Sequence, residues 1–227
     1  MLYLYAIIDR PGTGPMPGVG LADQPISYIY EGGIGAVVSQ IDPQSIATGA
    51  VQIVRHELVV QSLAESYGVL PVRFGTILAD VDAVRDLLRK RRDAFADDLS
   101  RVSGRVEMRL RVFWADDPHV SPVIEGAPQT GRASIERRIA EERAAAFRRL
   151  RATQISDELH SQLDKHAIAS ACKVLPNEQM LLIAAYLVAC SAVACFQSHV
   201  AKISAERSNL RLLCTGPWPA YHFVSPA

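Results

Sequence analysis

From Met180 to Phe196 the chain reads MLLIAAYLVACSAVACF, without a charged residue. A run of about 17 uncharged residues is the shortest that spans a bilayer as a helix, so the segment must lie in lipid or in a protein interior. Alanine, cysteine and serine dilute its hydrophobicity, a turn-like Pro176-Asn177 precedes it, and no Lys/Arg asymmetry flanks it. These features predict a buried strand, Met180 to Val188, running into a helix from about Ala189 to Glu206, and no membrane partner.

The surrounding pattern supplies a sheet for that strand. Val106, Met108, Leu110 and Val112 alternate with Glu107, Arg109, Arg111 and Phe113, which predicts a strand with one apolar and one polar face. Residues 116–131, rich in proline, read as a long loop. A long charged helix is expected from Ala133 to about His166, with Ile135, Ile139, Phe147, Leu150, Leu159 and Leu163 on its apolar side and a bend near Thr153. Strands follow at Ser170 to Leu175 and, after the uncharged run, at Leu210 to Thr215. Counted from Val106 the order is βαββαβ, the split-βαβ, ferredoxin-like arrangement with both helices on one face of a four-stranded antiparallel sheet. The strand from Met180 is apolar on both sides, so Leu182 and Ile183 are candidate contact residues on the face that the helices leave open. The N-terminal domain, a second copy or a hydrophobic partner would cover it.

The first hundred residues predict a separate α+β unit. LYLYAII at 2–8 is a strand, and PGTGPMPGVG after it is a loop. ISYIYE and IGAVVSQ flank Gly32-Gly33 as a β-hairpin. Ile53, Val54, Leu58, Val59, Leu63 and Tyr67 fall at helical spacing, with Gly68 placed as a left-handed cap. Asp80 begins a second helix with Val84, Leu87, Leu88, Phe95, Leu99 and Val102 on one face, ended by Gly104. The expected organisation is therefore α+β with two domains, 1–103 and 104–227, the second ferredoxin-like with a long helix.

Several functions are excluded by chemistry. With 49% hydrophobic residues among 227, the chain has enough apolar material for a sizeable core. Lys plus Arg and Asp plus Glu are 24 each, so no net field draws the protein to nucleic acid. The basic run Arg89 to Arg92 is followed by Asp93, Asp97 and Asp98 and reads as a salt-bridged face. Gly12, Gly14 and Gly18 are interrupted by prolines and lack phosphate-loop spacing. His56-Glu57 resembles a zinc-protease helix, but Val60 stands where the second histidine is required. His56 is expected to hydrogen-bond locally or to pack near the sheet. The four cysteines, Cys172, Cys190, Cys195 and Cys214, form no CxxC pair and the six histidines are scattered. No catalytic set, metal or cofactor is expected. The N-terminus has no basic residue before its apolar run and reads as a strand, not a signal peptide.

Five segments, in order along the chain, resemble one family. They are YLYAI at the start, His56 after the hairpin, Leu70-Pro71-Val72-Arg73-Phe74-Gly75-Thr76, Gly104-Arg105-Val106-Glu107, and Thr215-Gly216-Pro217-Trp218-Pro219-Ala220-Tyr221-His222-Phe223. Together they look like the GvpF/GvpL family of gas vesicle proteins. The last segment departs from the usual form, with Pro219-Ala220 in place of Pro-Pro and His222 where serine is common. The resemblance implies two α+β domains, the second a modified ferredoxin-like fold. It also implies a non-enzymatic, cytoplasmic accessory role in nucleating or building gas vesicles. The implied partners are the small hydrophobic shell protein and other gas vesicle accessory proteins. A minor structural component of the vesicle wall and a ferredoxin-like small-ligand-binding protein are the alternatives. Pro71 and Gly75 bracket a fixed backbone and Arg73 offers a rigid fork of donors, as structural glue or as a partner contact. Phe74 lies between them. Gly216, Pro217, Trp218, Pro219 and Tyr221 are expected to pack across the domain edge or to meet a partner. An apolar sheet face or a groove at the domain junction would shield the shell protein before its incorporation.

Overall fold

The computed structural model describes residues 1–10, 18–42, 49–115, 131–174 and 180–225. The loops expected at 11–17 and 116–130 and the Pro176-Asn177 turn lie outside the described residues. By its contacts the chain forms two compact units, Met1–Glu107 with Pro217–Ala227, and Met108–Gly216. The expected division at 103/104 instead groups the last eleven or so residues with the second unit.

The first unit is built on β1 (Leu2–Ile8), every residue of which after Leu2 is fully buried. Burial on both faces explains why this strand reads as a continuous apolar run with no alternation. The hairpin β2 (Ile26–Glu31) and β3 (Ile34–Gln40) pairs through β3 with one edge of β1. Along the other edge run two short strands that sequence reading missed, β4 (Val69–Pro71) and β5 (Ile77–Leu78). The sheet order is β2-β3-β1-β4, with β5 also on β1. Two and three residues give too little periodicity to be recognised as strands.

Helix α1 (Ala50–Ala64) packs against this sheet, through a face that only partly matches the one expected: Val59 and Leu63 are buried, Ile53, Val54 and Leu58 are not. It buries His56, Val59, Val60 and Leu63 and leaves Val51, Ile53, Val54 and Leu58 exposed. The helix is apolar around much of its girth, so periodicity alone does not choose a face; the partners available to His56 do. Gly68 is not a left-handed cap. A Cβ there would stand 2.7 Å from Oδ2 of Asp9, so the glycine serves close approach. The single helix expected after Asp80 is two, α2 (Val81–Lys90) and α3 (Arg92–Val102), broken at Arg91, whose φ of −112° and ψ of 16° leave the helical region. Asp80 caps α2 as expected, accepting from the Ala83 N–H at 2.9 Å.

The second unit follows the βαββαβ order: β6 (Arg105–Trp114), α4 (Gly131–Leu163), β7 (Ala169–Val174), β8 (Met180–Ala189), α5 (Val193–Glu206) and β9 (Leu210–Trp218). Its four-stranded sheet has the order β7-β8-β6-β9, the strand order of the ferredoxin-like arrangement. Met108, Leu110 and Val112 of β6 meet Ala184, Tyr186 and Val188 of β8, with Leu159 and Leu163 of α4 and Phe196 and Val200 of α5, in one core. Only the C-terminal half of α4 packs there, through Ala152, Ile155, Leu159 and Leu163. Ile135, Ile139, Phe147 and Leu150, expected on the same apolar side, are exposed. The helix runs without interruption through Thr153, whose hydroxyl donates to the Arg149 carbonyl, a back-bond of the kind that often bends helices. No helix of the described residues is long and apolar enough to cross a membrane.

Candidate functional site

The site forms where the strand beside β1 is interrupted. β4 pairs Pro71 with Ala6, and β5 pairs Ile77 with Tyr3. Between them the chain loops out and is held at both ends by β1, Val72 N–H donating to the Tyr5 carbonyl and Leu4 N–H to the Thr76 carbonyl, each at 3.0 Å. Thr76 closes the loop on itself, its hydroxyl donating to the Arg73 carbonyl at 2.8 Å. Gly75 sits at φ 91°, a conformation that L side chains rarely adopt.

Under this loop lies a buried polar chain whose direction is set by its ends. His56, completely buried, faces the Val72 carbonyl with Nε2 at 3.0 Å. A carbonyl only accepts, so Nε2 carries the hydrogen and Nδ1 holds a lone pair. The Tyr3 hydroxyl, 2.9 Å away, donates to that Nδ1 and in turn accepts from the Gly75 N–H at 3.1 Å. Burial pushes His56 down to about 4, opposed by its bond to Val72, and pushes the Tyr3 phenol up. Both groups are therefore neutral at pH 7, the state this bonding requires. Tyr5, whose hydroxyl bonds Ser39 at 2.8 Å, stacks on His56 with ring centroids 5.7 Å apart, and Phe74 stands edge-on to His56 at 5.8 Å.

The end of the chain completes the same unit. The Tyr221 hydroxyl lies 3.4 Å from His56 Nε2. Glu107, completely buried, accepts from the His222 N–H at 2.8 Å and from its Nδ1 at 2.7 Å. Asp98, 1% exposed, accepts from the Ser225 N–H at 2.8 Å and pairs with Arg101, which also donates to the Phe223 carbonyl. The polar face expected for β6 thus holds a buried carboxylate at Glu107, because its ligands arrive from the end of the chain. His222, the departure from the usual closing segment, supplies one of them.

A cleft of about 570 Å³ opens here, lined by Glu57, Pro71, Val72, Arg73, Phe74, Thr76, Tyr221, Val224 and Ser225. Pro71 is buried, Phe74 half-buried, and Arg73 exposed. Among the described residues the Arg73 guanidinium has no hydrogen-bond or ion-pair partner; the loop is held by its backbone and by Thr76. Two of the five segments singled out in the sequence, LPVRFGT and the closing one, line this cleft; YLYAI and His56 are buried beneath the loop, and the fifth, through Glu107, anchors the closing one.

Residues 1–225 match the family described as "Gas vesicle synthesis protein GvpL/GvpF". The chain belongs to the GvpL/GvpF family. It is 27% identical to gas vesicle protein F of Streptomyces sp. strain CB03234, over 92% of both chains. It is 26% identical to gas vesicle protein L of the same strain, over 99% of this chain and 93% of the relative. Similarity to gas vesicle protein F1 of Halobacterium salinarum is 25%, covering 98% and 92%. The fold matches the crystal structure of GvpF from Anabaena sp. PCC7120 with a TM-score of 0.81 at 19% identity, covering 100% of this chain and 96% of that one. For GvpF from Microcystis aeruginosa the TM-score is 0.77 at 19% identity, covering 99% and 98%. The α+β class expected from the sequence is thus that of known GvpF structures, and the protein has a gas-vesicle-related role.

The other candidate residues of this GvpL/GvpF protein lie elsewhere. Leu182 is completely buried in the core of the second unit and Ile183 is half-buried. Ala185 and Leu187 are buried too, so both faces of β8 are covered. Gly216, Pro217 and Trp218 form the end of β9, and Pro219 is buried. Tyr3 and Glu107 entered the sequence reading only as members of family segments, and Asp98 only as part of a salt-bridged face; none was assigned a buried polar role. The one signal for Tyr3 and Tyr5 was their position two apart on a strand, which places both hydroxyls on one face.

Proposed function

We propose that the protein is a non-catalytic accessory factor of gas vesicle assembly that binds the small hydrophobic shell protein through the cleft rimmed by Arg73, Phe74 and Tyr221. Arg73, exposed on the LPVRFGT loop, without a partner among the described residues and lining one cleft with Tyr221 of the closing segment, carries the reading. An arginine whose loop is already held by other groups has its fork available for carboxylates or free carbonyls of a partner. Phe74 and Pro71 supply apolar surface beside it. Catalysis is disfavoured because the histidine beneath the cleft has both ring nitrogens engaged and is held neutral. The protein works in the cytoplasm, at the growing vesicle, among other accessory proteins.

Co-expression with the shell protein of the same operon, followed by affinity capture, tests this. Arg73→Glu, at an exposed position, should leave the fold intact and weaken capture by about thirtyfold, the effect of losing a central arginine contact. Unchanged capture by the folded variant would reject the cleft as the binding surface. Retention in purified vesicles at fixed stoichiometry would favour a wall component.

A further inference from the structure

A side-chain cluster in the second unit has the composition of a metal centre. Cys195 and His199 stand one turn apart on α5, and His166 ends the short 3-10 turn Asp164–His166 that follows α4. One ligand atom from each lies within 4.8 Å of the others. The His166 and His199 ring centroids are 3.7 Å apart, and Cys195 Sγ is 3.6 Å from His199 Nδ1. From these residues we infer that the protein binds a zinc-class divalent cation, held by Cys195, His199 and His166 with a fourth position open to solvent.

Three observations support the assignment. His199 Nδ1 lies 2.8 Å from the Cys195 carbonyl, which only accepts. The hydrogen is therefore on Nδ1, and Nε2 is left as a lone pair, the orientation that metal-bound histidines derive from such a bond. One thiolate and two imidazoles are a donor set that suits Zn²⁺, for which bonds of about 2.0–2.3 Å place the donors about 3.3–3.7 Å apart. Closing from 4.8 Å needs side-chain rotation of about 1 Å, and Cys195 is exposed while both histidines are half-buried, so they are free to make it. Binding releases the Cys195 proton to solvent as the thiolate forms on the metal. The nearby carboxylate Asp164 already accepts from the Ser170 hydroxyl at 2.6 Å and is not needed as a ligand. A cation here would clip the start of α5 to the end of α4. The inference is independent of the cleft in the other unit.

The test is a Co²⁺ titration of the full-length, reduced, chelator-treated protein, with Zn²⁺ as competitor. One equivalent of Co²⁺ should bind with a thiolate-to-cobalt charge-transfer band that Zn²⁺ abolishes. Cys195→Ser should remove the band, and His199→Ala and His166→Ala should each weaken binding by more than about tenfold. Cys190→Ser, an exposed cysteine outside the cluster, should change nothing. Absence of a thiolate band in the unmodified protein overturns the site, as does a band that survives Cys195→Ser.

Discussion

At the scale of single residues, His56 sets the chemistry of the loop. Its imidazole must accept from Tyr3 and donate to Val72, and an imidazolium has no acceptor. With a folded pKa near 4 against an ordinary value of 6.5, the unfolded chain takes up the proton first as pH falls. The stabilisation is complete above about pH 6.5, declines toward pH 4 and amounts to about 3 kcal/mol. Denaturant unfolding between pH 7 and pH 4 should show this slope, and His56→Gln, which does not titrate, should flatten it by that amount. An unchanged slope would place the acid sensitivity elsewhere. Residue types were partly legible in advance. His56 was expected to hydrogen-bond locally or to pack near the sheet; it packs there, but its hydrogen-bond partners come from residues 3 and 72, beyond any local pattern. The Cys195 and His199 spacing, four apart on a helix, was not read as a signal, because its third member, His166, belongs to another element.

At the scale of elements, the closing segment depends on carboxylates from two different ones. Glu107 of β6 holds His222, and Asp98 of α3 holds Ser225. Glu107→Ala strands the His222 N–H and should cost about 1.5–3 kcal/mol, the range for hydrogen bonds to charged groups. It should also expose the segment after Trp218 to carboxypeptidase at protein concentrations where the wild type resists. Undiminished resistance would show that the segment is held by other contacts. Long elements such as β1, the hairpin, β6, β8 and α5 were readable because one hydrophobic pattern, continuous or periodic, covers many residues. The faces of α1 and the first half of α4 were not, because apolar residues there lie on more than one side and only tertiary contacts choose among them.

For the whole molecule, the return of the chain end matters most. The chain leaves the first unit after Glu107 and comes back at Pro217, on strands β6 and β9 that are neighbours in one sheet. A fragment of residues 1–103 therefore lacks Glu107, Tyr221 and the Ser225 N–H that bonds the buried Asp98, while it keeps Arg101. Removing one partner of such a carboxylate costs more than the bond itself contributed. The fragment should unfold without a cooperative transition, or melt well below the full chain by calorimetry. A fragment as stable as the full chain would mean that the closing segment contributes little to the unit.

What the amino-acid sequence determined by itself is the set of local decisions. Residues 2–8 form a strand, Asp80 starts a helix, and the order from Val106 is βαββαβ. These follow from periodicity, capping and turn chemistry, which act over a few residues. The family segments supplied residues without their geometry. Only the tertiary structure decided that Leu182 is sealed in a core, that Glu107 on a nominally polar strand face is buried, and that Arg73 is exposed. The physical reason is common to all three. Burial of a side chain and satisfaction of a charge are set by atoms that arrive from distant parts of the chain. Local patterning carries no record of which ones will arrive.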